Sequence, residues 1–302
     1  MGFGVDEGTA TGLPPARRLN GGGTPWRERL FQLALWASLA VGVVFLASLL
    51  LYVVVKAWSR LDPRIWTNFP DIIDPSNAGA QSAIMGTIWV IGFTALYCLP
   101  TGIFTAIYLE EYADPKRWWN RVIEINIQNL AAVPSIVYGI LGLGIIARGL
   151  GFGQTVLTAS LTLSLLVLPT VIIAAREAIR AVPQSIREAS LALGATRWQT
   201  VWHQILPAAV PGIATGSILA LSRAIGEAAP LLLLGGLAFI TFNPSSLNSP
   251  YTTLPIQIFN WISQSRAEFT ALASAAIVVL LVILLAMNSL AIWLRNHYSR
   301  RW

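Results

Sequence analysis

Six long apolar segments constrain this chain more than any other feature. They run from about 31 to 55, 82 to 109, 130 to 150, 155 to 175, 211 to 239 and 269 to 294. A helix needs about 20 apolar residues to cross the hydrocarbon core of a bilayer. Charged residues make up only 11% of the sequence, against about 25% in soluble proteins. The expectation is an all-α polytopic membrane protein with six transmembrane helices. Residues 1–28 are rich in Gly, Pro and Thr and carry Arg17 and Arg18. No short apolar region follows the start, so this stretch reads as a disordered tail and not as a signal peptide.

The basic residues orient the spans. Fourteen of the 20 Lys and Arg residues fall in the amino-terminal stretch, the loops after spans two and four, and the carboxyl end. Five fall in the opposite loops, and the remaining one, Arg223, lies inside span five. Basic residues favour the cytoplasmic side. Both termini are therefore expected in the cytoplasm of a multi-pass plasma or inner membrane protein, together with the loop between spans four and five. The basic residues flank apolar runs and form no single stripe, which argues against nucleic acid as a partner.

Several chemistries are disfavoured. The one cysteine, Cys98, lies in an apolar run, and no Cys/His spacing suits a metal. The two lysines, Lys56 and Lys116, follow no Gly-rich phosphate loop. The chain is read as no enzyme and as binding no cofactor of its own.

The polar interruption from Arg187 to Pro207 is the most informative stretch. Two capping boxes are expected, Ser185 with Glu188 and Thr196 with Gln199. Gly194 stands where a helix ends. The pattern predicts a short helix, a Gly corner and a second helix. On the latter, Trp198, Val201, Trp202, Ile205 and Leu206 form one apolar stripe expected to face the protein's own spans. The unit is either a surface hairpin joining two spans or a docking element.

Span five carries Arg223 and Glu227 near its expected middle. A charge at a helix centre costs about 2.5–3.5 kcal/mol, so such groups face a bundle interior or a water-filled path. Four residues apart, the two share a helix face. One reading is an ion pair that packs two spans. The other is a charged patch on a translocation path, with Ser222, Arg223 and Glu227 as candidates, because the guanidinium fork matches phosphate or carboxylate oxygens. Gly226 and Pro230 are expected to allow close helix approach and a bend for gating. Elsewhere, Trp118 and Trp119 beside basic residues suit an interfacial helix. The apolar run Leu254 to Trp261 is expected to lie along the membrane surface, to dock a partner, or to be a solvated loop.

Glu188-Ala189, Gly194 and Leu206-Pro207 resemble the EAA loop of ABC-importer permeases, with Ser190 in place of that family's second Ala and Gln204 in place of an Ile. Asn129 to Gly139 and Ser222 to Leu231 resemble the span-three and span-five signatures of phosphate ABC permeases. The Ala228-to-Leu231 ending and Leu254 to Phe259 are similar to the PstA type. The resemblance covers about Ser82 to Trp293 and implies a type I ABC-importer permease (MetI-like) architecture over residues 29–302, with a coupling loop at 180–207. It implies that Arg187, Glu188, Ala189, Ser190, Leu191, Gly194 and Ala195 contact an ATPase. It further implies a PstC-type permease as heterodimer partner, a PstB-type ATPase dimer holding ATP and Mg, a PstS-type extracytoplasmic phosphate-binding protein, and surrounding lipid. Arg223 matches the family's intramembrane arginine linked to phosphate passage. The remaining alternatives are a permease of the same fold for another solute and a stand-alone secondary transporter or channel.

Overall fold

A computed structural model describes residues 25–114, 116–236 and 239–298. The expected tail falls outside them, except that a helix already begins at Pro25. The chain divides into two units, residues 1–51 and 52–302. The first contains most of α1 (Pro25–Ala57), a helix apolar on every face, as lipid surroundings require.

Among the described residues, the regular elements of the second unit are all helices, joined by loops. Its elements are α2 (Arg64–Thr67), α3 (Gln81–Ile107), α4 (Trp118–Ala132), α5 (Ser135–Leu141) and α6 (Val156–Arg180). Then follow α7 (Gln184–Ala192), α8 (Arg197–Thr200), α9 (Leu206–Gly226), α10 (Ala229–Leu233), α11 (Leu254–Ile262) and α12 (Ala267–Tyr298). Three π-helical segments are built in. Tyr108–Tyr112 prolongs α3, Gly142–Gly149 prolongs α5, and Val201–Ile205 joins α8 to α9.

Five helical stretches among the described residues are long and apolar enough to cross a membrane: Trp26–Arg60, Gln81–Tyr112, Val156–Arg180, Arg197–Gly226 and Ala267–Leu290. The expected third span differs. It divides into α4 and α5 with its π-helical extension, bent by 106°, and makes a sixth crossing only if this pair counts as one. Pro134 is the cause: it lacks an N–H, and it forces Val133 into an extended conformation (ψ 130°). Residues 130–132 thus end α4, whose Trp118 is exposed, as an interfacial helix requires.

Span five also differs from expectation. Its helix starts at Arg197 and stops at Gly226, instead of running from 211 to 239. Arg223 and Glu227 therefore lie at its carboxyl-terminal end and not at its middle. The run from Leu254 is not a solvated loop but a helix, α11, with one face buried. Leu254, Ile256 and Trp261 are buried, and α11 packs against α3 and α12.

The core is a row of helices, α3 along α6, α6 along α9 and α9 along α12. Lipid removes the hydrophobic drive for helices to associate, so close packing and polar bonds must hold them. Both are present. A Cβ on Gly216 would come within 2.3 Å of Ala174 Cβ, and one on Gly212 within 2.7 Å of Ala178 Cβ, which fixes how closely α9 approaches α6. Between α3 and α6, Ser160 Oγ donates to Val90 O (3.1 Å), Thr94 Oγ1 to Ser160 O (3.3 Å) and Ser164 Oγ to Thr94 O (3.2 Å). A second close approach joins α5 to α10, where a Cβ on Gly139 would meet Pro230 Cα at 2.7 Å.

Candidate functional site

The polar interruption folds into a helical corner. Gly194 holds φ at +85°, a left-handed value that costs most L-residues about 1–2 kcal/mol. Thr196 and Gln199 form the expected capping box, with Thr196 Oγ1 accepting from Gln199 N and Gln199 Oε1 accepting from Thr196 N. The box expected at Ser185 is absent. Pro183 is the residue before α7 and offers no side-chain cap. Glu188 instead accepts a hydrogen bond from Gln184 Nε2 at 3.0 Å.

Ser190 has a local role that accounts for its place in the loop. Its hydroxyl pairs with Thr200 Oγ1 at 2.9 Å and closes the corner between α7 and α8. The expected apolar stripe divides. Val201 and Ile205 are buried, whereas Trp198 is 61% exposed and stacks obliquely on Trp202. Val201 and Ile205 keep the inward face that helical spacing gives them and Gln204 is exposed, so the departure is confined to Trp198 at the start of the stripe, ahead of the π-turn at 201–205. Glu188, Ala189, Leu191 and Gly194 are exposed on the outer side of the corner, and Leu193 is 89% exposed.

Arg187 points the other way. Its guanidinium donates from Nε and Nη2 to Glu111 Oε1 (3.1 and 3.0 Å), from Nη1 to Val182 O (2.8 Å) and from Nη2 to Ile179 O (2.8 Å). It adds a donor to the Ile179 carbonyl in the last turn of α6 and to the Val182 carbonyl just beyond it, and it ties α7 to the π-turn after α3. The neighbouring Glu110 binds α6, receiving Arg180 (2.9 and 3.0 Å) and Arg176 (3.4 Å). Arg176 also reaches Glu124 on α4 at 2.9 Å. Adjacent residues of an ordinary helix diverge by about 100°. The π-turn nevertheless leaves both Glu110 and Glu111 largely covered, at 15% and 13% side-chain exposure. A groove of about 580 Å³ runs beside this network, between Glu110, Arg180, Gln184, Glu188, Leu191 and Arg197.

The sequence reading missed Glu110, Glu111 and Glu124 as partners of these arginines. A signal was present: two adjacent acids close one apolar span, and Arg176, Arg180 and Arg187 close and follow another.

The second region is the break after α9. Arg223 lies in its last turn, where a cation complements the exposed carbonyls. Its side chain is 61% exposed and, among the described residues, has one ion pair, 3.4 Å from Nε to Glu227 Oε1. That is long beside the ~2.7–2.9 Å of a firm charge-assisted bond. Glu227 is 17% exposed and sits in extended conformation (ψ 102°), where the helix has ended. Ser222 is engaged elsewhere, its hydroxyl donating to Asn288 Oδ1 of α12 at 2.6 Å. Asn288 was another missed residue, visible in the sequence as an amide within the last apolar run.

Gly226 does not allow close approach within the chain, since a Cβ there would meet nothing within 4 Å. Pro230 is buried and meets Gly139, so the close approach is Gly139's. Arg197–Gly226 is a continuous helical stretch of 30 residues. At 1.5 Å per residue the corner and Arg223 lie about 40 Å apart along it.

Residues 98–302 match the family of binding-protein-dependent transport system inner membrane components. A probable ABC transporter permease protein, YqgI of Bacillus subtilis (strain 168), is 33% identical over 84% of this chain and 90% of its own length. Phosphate transport system permease protein PstA 1 of Mycobacterium tuberculosis (strain CDC 1551 / Oshkosh) is 32% identical over 88% of both chains. Among solved structures, a chain of a bacterial alginate ABC transporter aligns with TM-score 0.60 at 17% identity, covering 91% of this chain and 97% of that one. A chain of the inward-facing MetNI methionine ABC transporter aligns with TM-score 0.57 at 16% identity, covering 71% and 94%. The chain belongs to the binding-protein-dependent transport system inner membrane components, as a permease subunit of an ABC transporter.

Proposed function

We propose that this permease is the PstA-type subunit of an ATP-driven phosphate importer. It forms half of the translocation pathway, with a PstC-type permease forming the other half. A PstB-type ATPase pair, holding ATP and Mg, docks on the α7–α8 corner, and a PstS-type binding protein delivers phosphate. The substrate assignment is supported by the PstA-named relative that matches 88% of the chain.

The observation that carries the pathway is the state of Arg223. Its guanidinium is exposed on this chain and only loosely held. An arginine facing hydrocarbon is costly, so water or a second subunit meets it. Glu227 orients the guanidinium and offsets its charge. The anion then binds transiently, as conduction requires. Nucleotide-driven closure of the ATPase pair moves Glu188, Ala189, Ser190, Leu191, Gly194 and Ala195. The shift passes along the helix that begins at Arg197 and alters access to Arg223, a rigid-body transition of the usual repertoire.

Reconstitution tests this reading. The purified complex should contain a second permease and a P-loop ATPase, and should accumulate phosphate only with ATP. Uptake of another solute in preference to phosphate would reassign the substrate. Transport by the chain alone would overturn the coupling.

A further inference from the structure

We propose that Arg187 and Glu111 form a positioning clamp through which movement of the corner also drives α3. This inference rests on the ATPase docking proposed above. It concerns a helix that the docking surface does not include.

Among the described residues, the side-chain hydrogen bonds of α7 to other elements come from two residues. Ser190 bonds α8, and Arg187 bonds Glu111 and the end of α6. Arg187 uses four hydrogen bonds from its three nitrogens, close to the five donors a guanidinium owns. Such a fork fixes orientation as well as distance. Its side chain is 22% exposed and that of Glu111 13%, so solvent competes weakly for either.

The acids divide the work. Glu110 holds the end of α3 on α6 through Arg176 and Arg180, while Glu111 holds it on α7 through Arg187. Both sit in the π-turn Tyr108–Tyr112, a helical defect that often marks function. Ile186 of α7 adds apolar contact to the cluster containing Ala106 and Ile107. A push on α7 therefore reaches α3 directly, and α3 packs along most of α6. The clamp makes the ends of α3 and α6 follow the corner together. Without it, α7 can tilt while α3 stays behind.

The test uses the reconstituted complex with its ATPase and binding protein. Phosphate uptake, ATP hydrolysis and thermal stability are measured on the same preparations of wild type, Glu111→Ala and Glu111→Gln. The Ala variant removes the acceptor. The Gln variant keeps one and guards against an outcome dominated by misfolding. Phosphate moved per ATP should fall at least about fivefold in Glu111→Ala, the low end for coupling between sites, and recover in large part in Glu111→Gln. A purely structural role lowers stability and leaves that ratio unchanged, which would overturn the clamp. A wild-type complex that hydrolyses ATP without moving phosphate would overturn the proposed function and the clamp with it.

Discussion

Arg187 and Arg223 each face a glutamate, and the two pairs are built differently. Arg187 is drawn inward and bonded to a carboxylate and two main-chain carbonyls, at 2.8 to 3.1 Å. Arg223 stands mostly exposed at a helix end with, among the described residues, one ion pair at 3.4 Å. A guanidinium with all but one of its donors occupied holds backbone elements in place and has little left for a ligand. One with most donors unpaired among the described residues is costly to keep unless something else meets it. Equal charge at two sites thus gives a fastening in one and an available donor in the other.

The largest expected stability effect lies at the fastened site. Arg187→Gln should cost about 2–3 kcal/mol, below the range for a fully buried pair because the side chain is partly exposed. It would appear as a lower unfolding midpoint of the purified complex, and an unchanged midpoint would remove the contrast between the two arginines. Next comes Gly139→Ala, whose new Cβ meets the Pro230 main chain at 2.7 Å. An overpacking cost of about 1–3 kcal/mol is expected, with loss of uptake because α10 is displaced from the break that follows Arg223.

Gly194→Val addresses the corner alone. Nothing lies within 4 Å of its Cβ, so the cost is the positive φ, about 1–2 kcal/mol. Uptake should fall with assembly of the two permeases intact, as judged by co-purification. Full uptake would remove the corner from the docking surface. The smallest effect is expected at Gly226→Ala. With open space around it and no positive φ, the change should stay within about 1 kcal/mol and favour the helix. Marked destabilisation there would mean that a second subunit packs on that face.

The sequence was most legible where physics is local. Apolar length marks five spans, Thr196 and Gln199 mark a cap, and Gly194 marks a left-handed turn. It was least legible where a proline or a π-turn redirects the chain. Pro134 divides a span that apolarity alone makes continuous. The π-turn at 108–112 leaves both Glu110 and Glu111 largely covered, although adjacent positions of a regular helix diverge by about 100°. At the sites, Arg223 and Glu227 were found because charge is rare inside apolar runs. Glu110 and Glu111 were passed over because acids at a span end look solvated, and their partners lie 66 to 76 residues further along. The helix end at Gly226 carried no signal stronger than Pro230 beyond it.

The most direct test of the contrast is to measure Arg223→Gln beside Arg187→Gln, recording phosphate uptake and unfolding midpoint on the same reconstituted complexes. The account predicts that Arg223→Gln keeps the wild-type midpoint and loses uptake, while Arg187→Gln loses stability. Normal uptake by Arg223→Gln, or a drop in its midpoint equal to that of Arg187→Gln, would contradict it and reduce the Arg223–Glu227 pair to packing.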